Sequence, residues 1–86
     1  MTAKKVMVTN PTGLHARPAS ELVALAKKFE SKISLSNGTK TVNATSVIHV
    51  LTMGVKAGTE IEVSAEGSDE VAAVDAVVQF IETLKD

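Results

Sequence analysis

A histidine and an arginine lie two positions apart in the stretch TGLHARPAS, residues 12–20. Imidazole changes its charge near neutral pH, and its neutral form is a nucleophile. The guanidinium group of arginine presents a fork of donors that suits phosphate oxygens. These residue types at this spacing would suit a covalent role for His15, as acceptor of an anionic group, most simply a phosphoryl group, whose oxygens Arg17 could bind.

The same stretch has the features of a helix start. If His15 is the N-cap, the first turn consists of Ala16, Arg17 and Pro18, and the N–H groups of a first turn have no partner within the helix. Pro18 is tolerated there because it lacks only a donor that the helix does not use, and it limits the conformations of Arg17. The amides of Ala16 and Arg17, at the positive end of the helix dipole, then form an anion site.

The positive surroundings should lower the pKa of His15 from its ordinary value of ~6.5, which keeps the imidazole neutral and nucleophilic. Gly13 allows the backbone to bend closely around a ligand, and Thr12 offers a hydroxyl donor. A plainer interpretation also fits the spacing, in which His15 is an exposed loop residue and Arg17 a solvated charge. The residues alone leave both interpretations open.

Composition limits what the rest of the chain can be. The 86 residues have room for one domain, 1–86, and with 44% hydrophobic but 2% aromatic residues its bulkiest core members should be Phe29 and Phe80. Cysteine is absent, only two histidines occur, and no compact acidic cluster lies beside either. The sequence therefore predicts no metal site and no cofactor.

The cellular location follows from the apolar runs. The short apolar stretch after Lys4 and Lys5 is too brief for a signal peptide, and no apolar run approaches membrane-spanning length. We therefore expect a cytoplasmic protein with no membrane insertion.

Charge is divided unequally along the chain. Residues 1–43 hold seven Lys or Arg and two Glu, whereas residues 44–86 hold two Lys and eight Asp or Glu. Because there is no dense basic run and little aromatic surface for stacking, nucleic acid is not an expected partner. A basic face that meets acidic protein partners is expected instead.

Hydrophobic spacing in the first half predicts a strand, a helix and a hairpin. The strand holds Val6 and Val8 and ends at Asn10-Pro11. The helix starts at Ala16, carries Lys27 and Lys28 in its final turns, and has one apolar face, formed by Ala19, Leu22, Val23, Ala26 and Phe29. The hairpin joins a strand through Ile33 and Leu35 to a strand over 40–43, with Asn37-Gly38 at the turn.

The second half is predicted to contain a short helix, a strand and a final helix. Ser46 caps the short helix and Gly54 ends it, and the strand TEIEVSAEG alternates apolar and polar residues. Ser68 is predicted to cap the final helix, whose inward stripe should hold Val71, Val74, Val78 and Ile81, flanked by Val77 and Leu84. Strands with one apolar face need helices on one side only, so the order β-α-β-β-α-β-α predicts an α+β, two-layer sandwich. The strand order stays open.

GLHARPAS is similar to the active-site motif of the HPr family, the histidine-containing phosphocarriers of the bacterial sugar phosphotransferase system. The resemblance extends over the whole chain, through its length, its element order, and the stretches SNGTKTVNATS and MGVKAGTEIEV. It implies an open-faced sandwich of a four-stranded antiparallel sheet with three helices on one face.

The resemblance also implies a reaction. Phospho-enzyme I, charged by phosphoenolpyruvate, would phosphorylate His15 on Nδ1, and His15 would pass the phosphoryl group to an EIIA domain of a sugar permease. Arg17 would be the stabilising partner. The protein would be a phosphoryl carrier, not a catalyst that turns over alone, and we expect a monomer.

Ser46 occupies the position at which Gram-positive members of the family carry a regulatory serine. HPr kinase/phosphorylase phosphorylates that serine with ATP, and the product is a corepressor for a catabolite-control transcription factor. A helix N-terminus tolerates such a charge, although Ser46 as a simple N-cap explains the residue equally well. Many relatives have Gly where this chain has His49, which we expect to be a surface residue and not a ligand.

A small transient interface is expected around His15, because a carrier must bind and release its partners. Ser20 and Ala24 of the first helix and Val47, Ile48 and Leu51 of the second would form it, with Arg17 and Lys27 as a basic rim. Many relatives have Met among these apolar positions. If Val47, Ile48 or Leu51 is buried, that residue belongs to the core instead.

Three other functions remain open on the sequence. The chain could be a regulatory HPr-like protein that acts mainly through phospho-Ser46, although the presence of His15 argues against an exclusively regulatory role. It could be an HPr-like carrier of a nitrogen-related phosphotransferase relay, which keeps the histidine but serves other partners. It could also be a generic small α+β binding domain.

Overall fold

The computed structural model describes residues 1–11, 13–14 and 16–84. Its elements follow the predicted order: β1 (Thr2–Val8), α1 (Ala16–Ala26), β2 (Lys32–Ser36), β3 (Thr41–Asn43), α2 (Val47–Thr52), β4 (Thr59–Glu66) and α3 (Glu70–Glu82). The predicted α+β fold is confirmed.

The strands form a four-stranded sheet in the order β1-β4-β2-β3, and every neighbouring pair is antiparallel. The central strand β4 alternates strictly, with Ile61, Val63 and Ala65 buried and Glu60 and Glu62 exposed. This alternation places one apolar face against the helices and leaves the other face to solvent. The strand order could not be predicted, because pairing partners are set by contacts between segments distant along the chain.

The core is built from aliphatic side chains, as the composition predicts. Its largest fully buried members include Leu22 of α1, Ile33 and Leu35 of β2, Ile61 of β4 and Ile81 of α3. The expectation that two aromatic residues would be the bulkiest core members is wrong. Phe29 and Phe80 pack against this cluster but are only partly buried, because branched aliphatic side chains already fill the space between sheet and helices.

The first helix ends earlier than its apolar pattern predicts. Ala19, Leu22, Val23 and Ala26 are buried as expected, but α1 stops at Ala26. The backbone then tightens, with Lys28 N–H donating to the Leu25 carbonyl (3.1 Å) and Phe29 N–H to the Ala26 carbonyl (3.3 Å). Lys27 and Lys28 therefore lie just beyond the helix and not in its final turns, and Phe29 lies outside it.

The start and the inward face of the last helix also differ from prediction. The N-cap of α3 is Asp69, not Ser68, and the Ser68 hydroxyl donates to the Glu30 carboxylate instead (3.1 Å). Val71 is 59% exposed, so it does not belong to the inward stripe. The buried residues of α3 are Ala73, Val74, Val77 and Ile81, whereas Val78 and Leu84 are partly buried.

The predicted hairpin at Asn37-Gly38 is present, with a connection over residues 37–40 and a second strand that begins at Thr41, one residue later than predicted. The Asn37 side-chain oxygen accepts bonds from Thr39 N–H (3.1 Å), from the Thr39 hydroxyl (3.0 Å) and from Lys40 N–H (2.9 Å). Lys40 is held in the turn by this side chain, which explains why β3 starts after it.

Candidate functional site

Two hydrogen bonds join Asn10 and Gly13, shortly before the first helix begins. Gly13 N–H donates to the Asn10 carbonyl (3.1 Å), and the Asn10 side-chain amide donates back to the Gly13 carbonyl (2.8 Å). Leu14 N–H donates to the carbonyl of Val55, in the loop before β4 (3.1 Å). Asn10 and Leu14 are 2% and 3% exposed, so this turn is anchored from inside the fold.

Gly13 is required by this anchoring. Its φ of +64° is a conformation that residues with a side chain rarely adopt. A Cβ at this position would overlap the Val55 carbonyl and would lie 2.8 Å from Cα of Lys56. Only glycine allows the turn and the loop before β4 to approach so closely.

The first turn of α1 presents its polar groups to solvent. The helix begins at Ala16, as predicted; Ala16 and Arg17 are exposed and Pro18 is buried. Pro18 therefore fixes the first turn against the core, while Ala16 and Arg17 remain exposed. The N–H groups of a first turn have no carbonyl acceptor within the helix. The predictions for Thr12 and His15 fall on positions outside the described residues.

Two carboxylates with lowered pKa values lie at the end of the sheet opposite to Asn10. The Ser31 hydroxyl, which bonds to Asp69, holds the pKa of Asp69 below its ordinary range, and the Thr2 hydroxyl does the same for the pKa of Glu70. Thr2 begins β1, whereas Val8 at its other end accepts a bond from Gly58 N–H in the loop before β4 (2.6 Å). The two ends of this strand are about 20 Å apart, so these carboxylates lie at the end of the sheet opposite to Asn10.

Ser46 is the N-cap of α2, as predicted, with extended backbone and its hydroxyl oxygen accepting a bond from His49 N–H (3.4 Å). Val50 anchors the helix in the core. Gly54, with φ +61°, follows the C-cap Met53 and donates to the Leu51 carbonyl (3.2 Å), so it ends the helix as predicted. Ser46 is half-buried, at the edge of an accessible helix.

The side chains expected to meet partners lie on the outside of two helices in contact with each other, α1 and α2. Ile48 is 73% exposed and Leu51 38% exposed, whereas Val47 is half-buried against the core. None of these three is buried, so the alternative that they form the core does not hold. The other residues expected at this surface, of and beside α1, are exposed as well: Ser20, Ala24 and Lys27.

The second histidine lies outside the core, as expected. His49 is exposed and borders a concavity of about 470 Å³ between β3 and α2, together with Lys40, Asn43 and Thr52. Within the described part of the chain, no three His, Cys, Asp or Glu side chains come close enough together to hold a metal ion. Over the same residues, no helix combines the length and apolar character needed to cross a membrane.

Sequence reasoning missed two residues at this site. Asn10 was assigned only to the end of a strand, and Val55 was given no role. Asn is a frequent turn residue whose side chain bonds to nearby backbone, a signal that could have drawn attention to Asn10. The bond from Leu14 to Val55 joins segments distant in sequence, and no local pattern reveals it.

Comparison with known proteins places the chain in a family. The model of that family, described as "PTS HPr component phosphorylation site", matches residues 2–83. The phosphocarrier protein HPr of Treponema pallidum (strain Nichols) is 44% identical over 82 residues, which cover 95% of this chain and 93% of the relative. HPr of Buchnera aphidicola subsp. Baizongia pistaciae is 41% identical over 85 residues, 99% of this chain and all of the relative.

Solved structures agree with this placement. The crystal structure of HPr-C-His from Thermoanaerobacter tengcongensis superposes with a TM-score of 0.92 at 42% identity, covering 96% of this chain and 93% of that one. An open-faced sandwich with a phosphorylation-site motif at the start of its first helix defines a phosphocarrier protein. The chain belongs to the HPr family of the phosphotransferase system, and its role is that of a phosphoryl carrier.

Proposed function

We propose that His15 accepts a phosphoryl group on Nδ1 from phospho-enzyme I and passes it to EIIA domains of sugar permeases. The observation that carries the assignment is the start of α1 at Ala16, directly after His15, with Ala16 and Arg17 exposed. The amides of these two residues and the Thr12 hydroxyl would donate to phosphoryl oxygens. Gly13 and Pro18 would shape the turn that presents them.

The chemistry that a carrier needs is modest and reversible. Phosphoryl transfer depends mainly on positioning and on stabilising the charge of the equatorial oxygens, which amides and a guanidinium group provide. Arg17 is exposed, so high-dielectric solvent weakens its attraction to the phosphoryl group. The group is then stabilised during transfer without being held so tightly that the next acceptor cannot take it.

The two histidines allow a sharp test of this assignment. The protein is incubated with phosphoenolpyruvate, magnesium and enzyme I, and its intact mass is measured before and after mild acid treatment. The native chain and His49→Ala should each gain one acid-labile phosphoryl group, whereas His15→Ala should gain none. Phosphorylation of His15→Ala, or loss of phosphorylation in His49→Ala, would assign the reaction to another residue.

The docking surface for enzyme I and EIIA is proposed to be the exposed face of α1 and α2 described above. Its apolar centre would be Val47, Ile48 and Leu51, and its neighbours Ser20 and Ala24. Lys27 and Arg17 would attract acidic partner surfaces. We further propose that residues 1–86 act as one domain, as a cytoplasmic monomer that relays phosphoryl groups and is not an enzyme by itself.

A regulatory role for Ser46 is our second proposal, with HPr kinase/phosphorylase as the modifying enzyme and a catabolite-control transcription factor as the reader. Its support is the position of Ser46, half-buried at the start of α2 beside the exposed Ile48. A phosphate there would place about two negative charges next to the docking surface while the helix end tolerates them.

The neighbouring hydroxyl supplies the control for this second proposal. With ATP and HPr kinase/phosphorylase, the native chain and Thr45→Ala should each gain one acid-stable phosphoryl group, and Ser46→Ala should gain none. An adduct that persists in Ser46→Ala, or no adduct on the native chain, would remove the regulatory proposal and leave the carrier function untouched.

A further inference from the structure

Asn10 is a polar side chain in the interior of the protein. It is 2% exposed and belongs to the largest fully buried side chains of the described residues. A buried amide is uncommon and is tolerated when its hydrogen bonds are made. The Asn10 side-chain amide donates to the Gly13 carbonyl at 2.8 Å, inside the fold.

The bonds around this amide fix the chain just before the proposed acceptor. The Asn10 side chain holds the Gly13 carbonyl, the Asn10 carbonyl accepts from Gly13 N–H (3.1 Å), and the Val55 carbonyl accepts from Leu14 N–H (3.1 Å). Gly13 is also packed against the backbone of Val55 and Lys56. Hydrogen bonds to Asn10 and Val55 therefore fix the position of residues 13–14. The next residue in the sequence is His15.

We infer that Asn10 is a positioning residue for phosphoryl transfer, because it holds residues 13–14, the segment that directly precedes the proposed acceptor His15 in the sequence. This inference rests on the proposed function. Asn10 acts through Gly13 and Leu14, so it is not a catalytic residue. Removing its amide leaves the buried Gly13 carbonyl without that donor, which favours a rearranged turn, and a displacement of about 1 Å is enough to slow a transfer reaction strongly.

Two substitutions separate the hydrogen bond from the packing. Asn10→Asp keeps the shape but replaces the donor by a carboxylate that cannot donate to the Gly13 carbonyl at neutral pH, and Asn10→Ala removes the side chain. Ser31→Ala is the matched control, because Ser31 is also buried (4% exposed) and hydrogen-bonded, but to Asp69 at the far end of the sheet. Amide spectra and urea unfolding would establish that each variant is folded under the assay conditions.

The expected result is a split between maximal rate and KM. Transfer from phospho-enzyme I to Asn10→Ala and Asn10→Asp should be about tenfold slower or more at saturation, with KM unchanged, because the docking surface is intact. Ser31→Ala should transfer at the native rate although it is less stable. In an NMR titration, the His15 ring signals should shift and titrate differently in both Asn10 variants and as in the native chain in Ser31→Ala.

Three outcomes would overturn the inference. These are native transfer rates in both Asn10 variants, slowing of all three variants in proportion to their lost stability, and a raised KM at an unchanged maximal rate. Failure of the proposed function would look different: His15→Ala would still accept the phosphoryl group. The role of Asn10 can therefore be rejected while His15 remains the acceptor.

Discussion

At the scale of single residues, the start of α1 places a buried residue directly beside an exposed one. Pro18 is buried and holds the first turn, whereas Arg17, one position earlier, is exposed. The buried ring of Pro18 packs in the core, whereas the proposed role of Arg17 falls on an exposed residue. The proposed function and the stability of this turn can therefore be tested separately.

Arg17→Ala should slow phosphoryl transfer at least ~10-fold, because a charge-assisted donor to the transferring group is lost. The free energy of unfolding should change by only ~0.5 kcal/mol, as at other exposed sites. Rapid-quench transfer from phospho-enzyme I and urea unfolding measure the two quantities. Arg17→Lys, which keeps the charge but loses the fork, should fall between native and Ala. Equal losses of rate and stability would contradict the role.

Gly13→Ala tests the close approach of two loops. The positive φ and the overlap with the Val55 backbone should together cost about 1–3 kcal/mol or more of unfolding free energy. Gly54→Ala is a matched control, because its φ of +61° is nearly that of Gly13 (+64°) but nothing lies within 4 Å of its added Cβ. The difference between the two urea midpoints isolates the overlap. Equal midpoints would show that the loops yield without cost.

At the scale of elements, two carboxylates at the start of α3 connect this helix to the end of the sheet that lies far from Asn10. Asp69 at the start of α3 accepts bonds from Glu30 N–H and Ser31 N–H, both at 2.9 Å, and from the Ser31 hydroxyl. Glu70 accepts from the Thr2 hydroxyl (2.6 Å). The helix α3 is thereby connected to β1 and to the loop that precedes β2.

These bonds predict a pH dependence of stability. Because they hold the pKa of Asp69 below its ordinary value of 3.8, the native state takes up a proton less readily than the unfolded chain. The stabilisation is therefore present above pH ~4 and is lost as the pH falls through the lowered native pKa. Asp69→Asn should lower the urea midpoint at pH 7 and flatten its fall in acid.

Asp75→Asn is the control for this prediction. Asp75 pairs with Lys4 at 2.5 Å, but both side chains are about half exposed, at 50% and 53%. Such surface pairs contribute little, so this variant should keep the native midpoint and the native acid profile. If both variants behave alike, the bonds to residues 30–31 have no special role.

Local patterns in the sequence predicted which residues are buried wherever that burial depends on a single helix or strand packing on the core. The alternation in β4 and the apolar face of α1 gave correct burial, since each depends on one element against one core. The predicted start of α3 was wrong because the Asp69 carboxylate accepts hydrogen bonds from residues 30–31, which are distant in sequence and which no local pattern reveals. The prediction that Val71 is buried was wrong, because an apolar residue in the first turn does not reveal whether that turn faces the core or the solvent.

The same distinction applies to the site. The start of α1 at Ala16 and the cap at Ser46 follow from short-range rules and were predicted. The contact between Gly13 and Val55 brings two loops together across the fold, so periodicity and capping rules carry no information about it. The inward role of Asn10 was obscured by Pro11, which made the pair appear to be a strand end.

At the scale of the whole molecule, the two most exposed branched aliphatic side chains, Ile48 and Val71, lie on different helices. Ile48, 73% exposed, is the second residue of α2, which packs on α1 and β3. Val71, 59% exposed, is the second residue of α3, which packs mainly on β1 and β4 and also contacts α1. Only Ile48 lies on the proposed docking surface, so these two residues are a matched pair for testing it.

Ile48→Asp should raise the KM for transfer from phospho-enzyme I about tenfold, as expected for one apolar interface anchor, with the maximal rate unchanged. Val71→Asp should leave both constants unchanged. Each substitution places a carboxylate in the first turn of a helix, where the dipole favours it, so neither should change the unfolding free energy by more than ~0.5 kcal/mol. Since the two variants share residue size, charge and helix position, a difference in KM can come only from the surface on which each residue lies. Equal KM values would mean that partners dock elsewhere and that the exposed Ile48 has no role in docking.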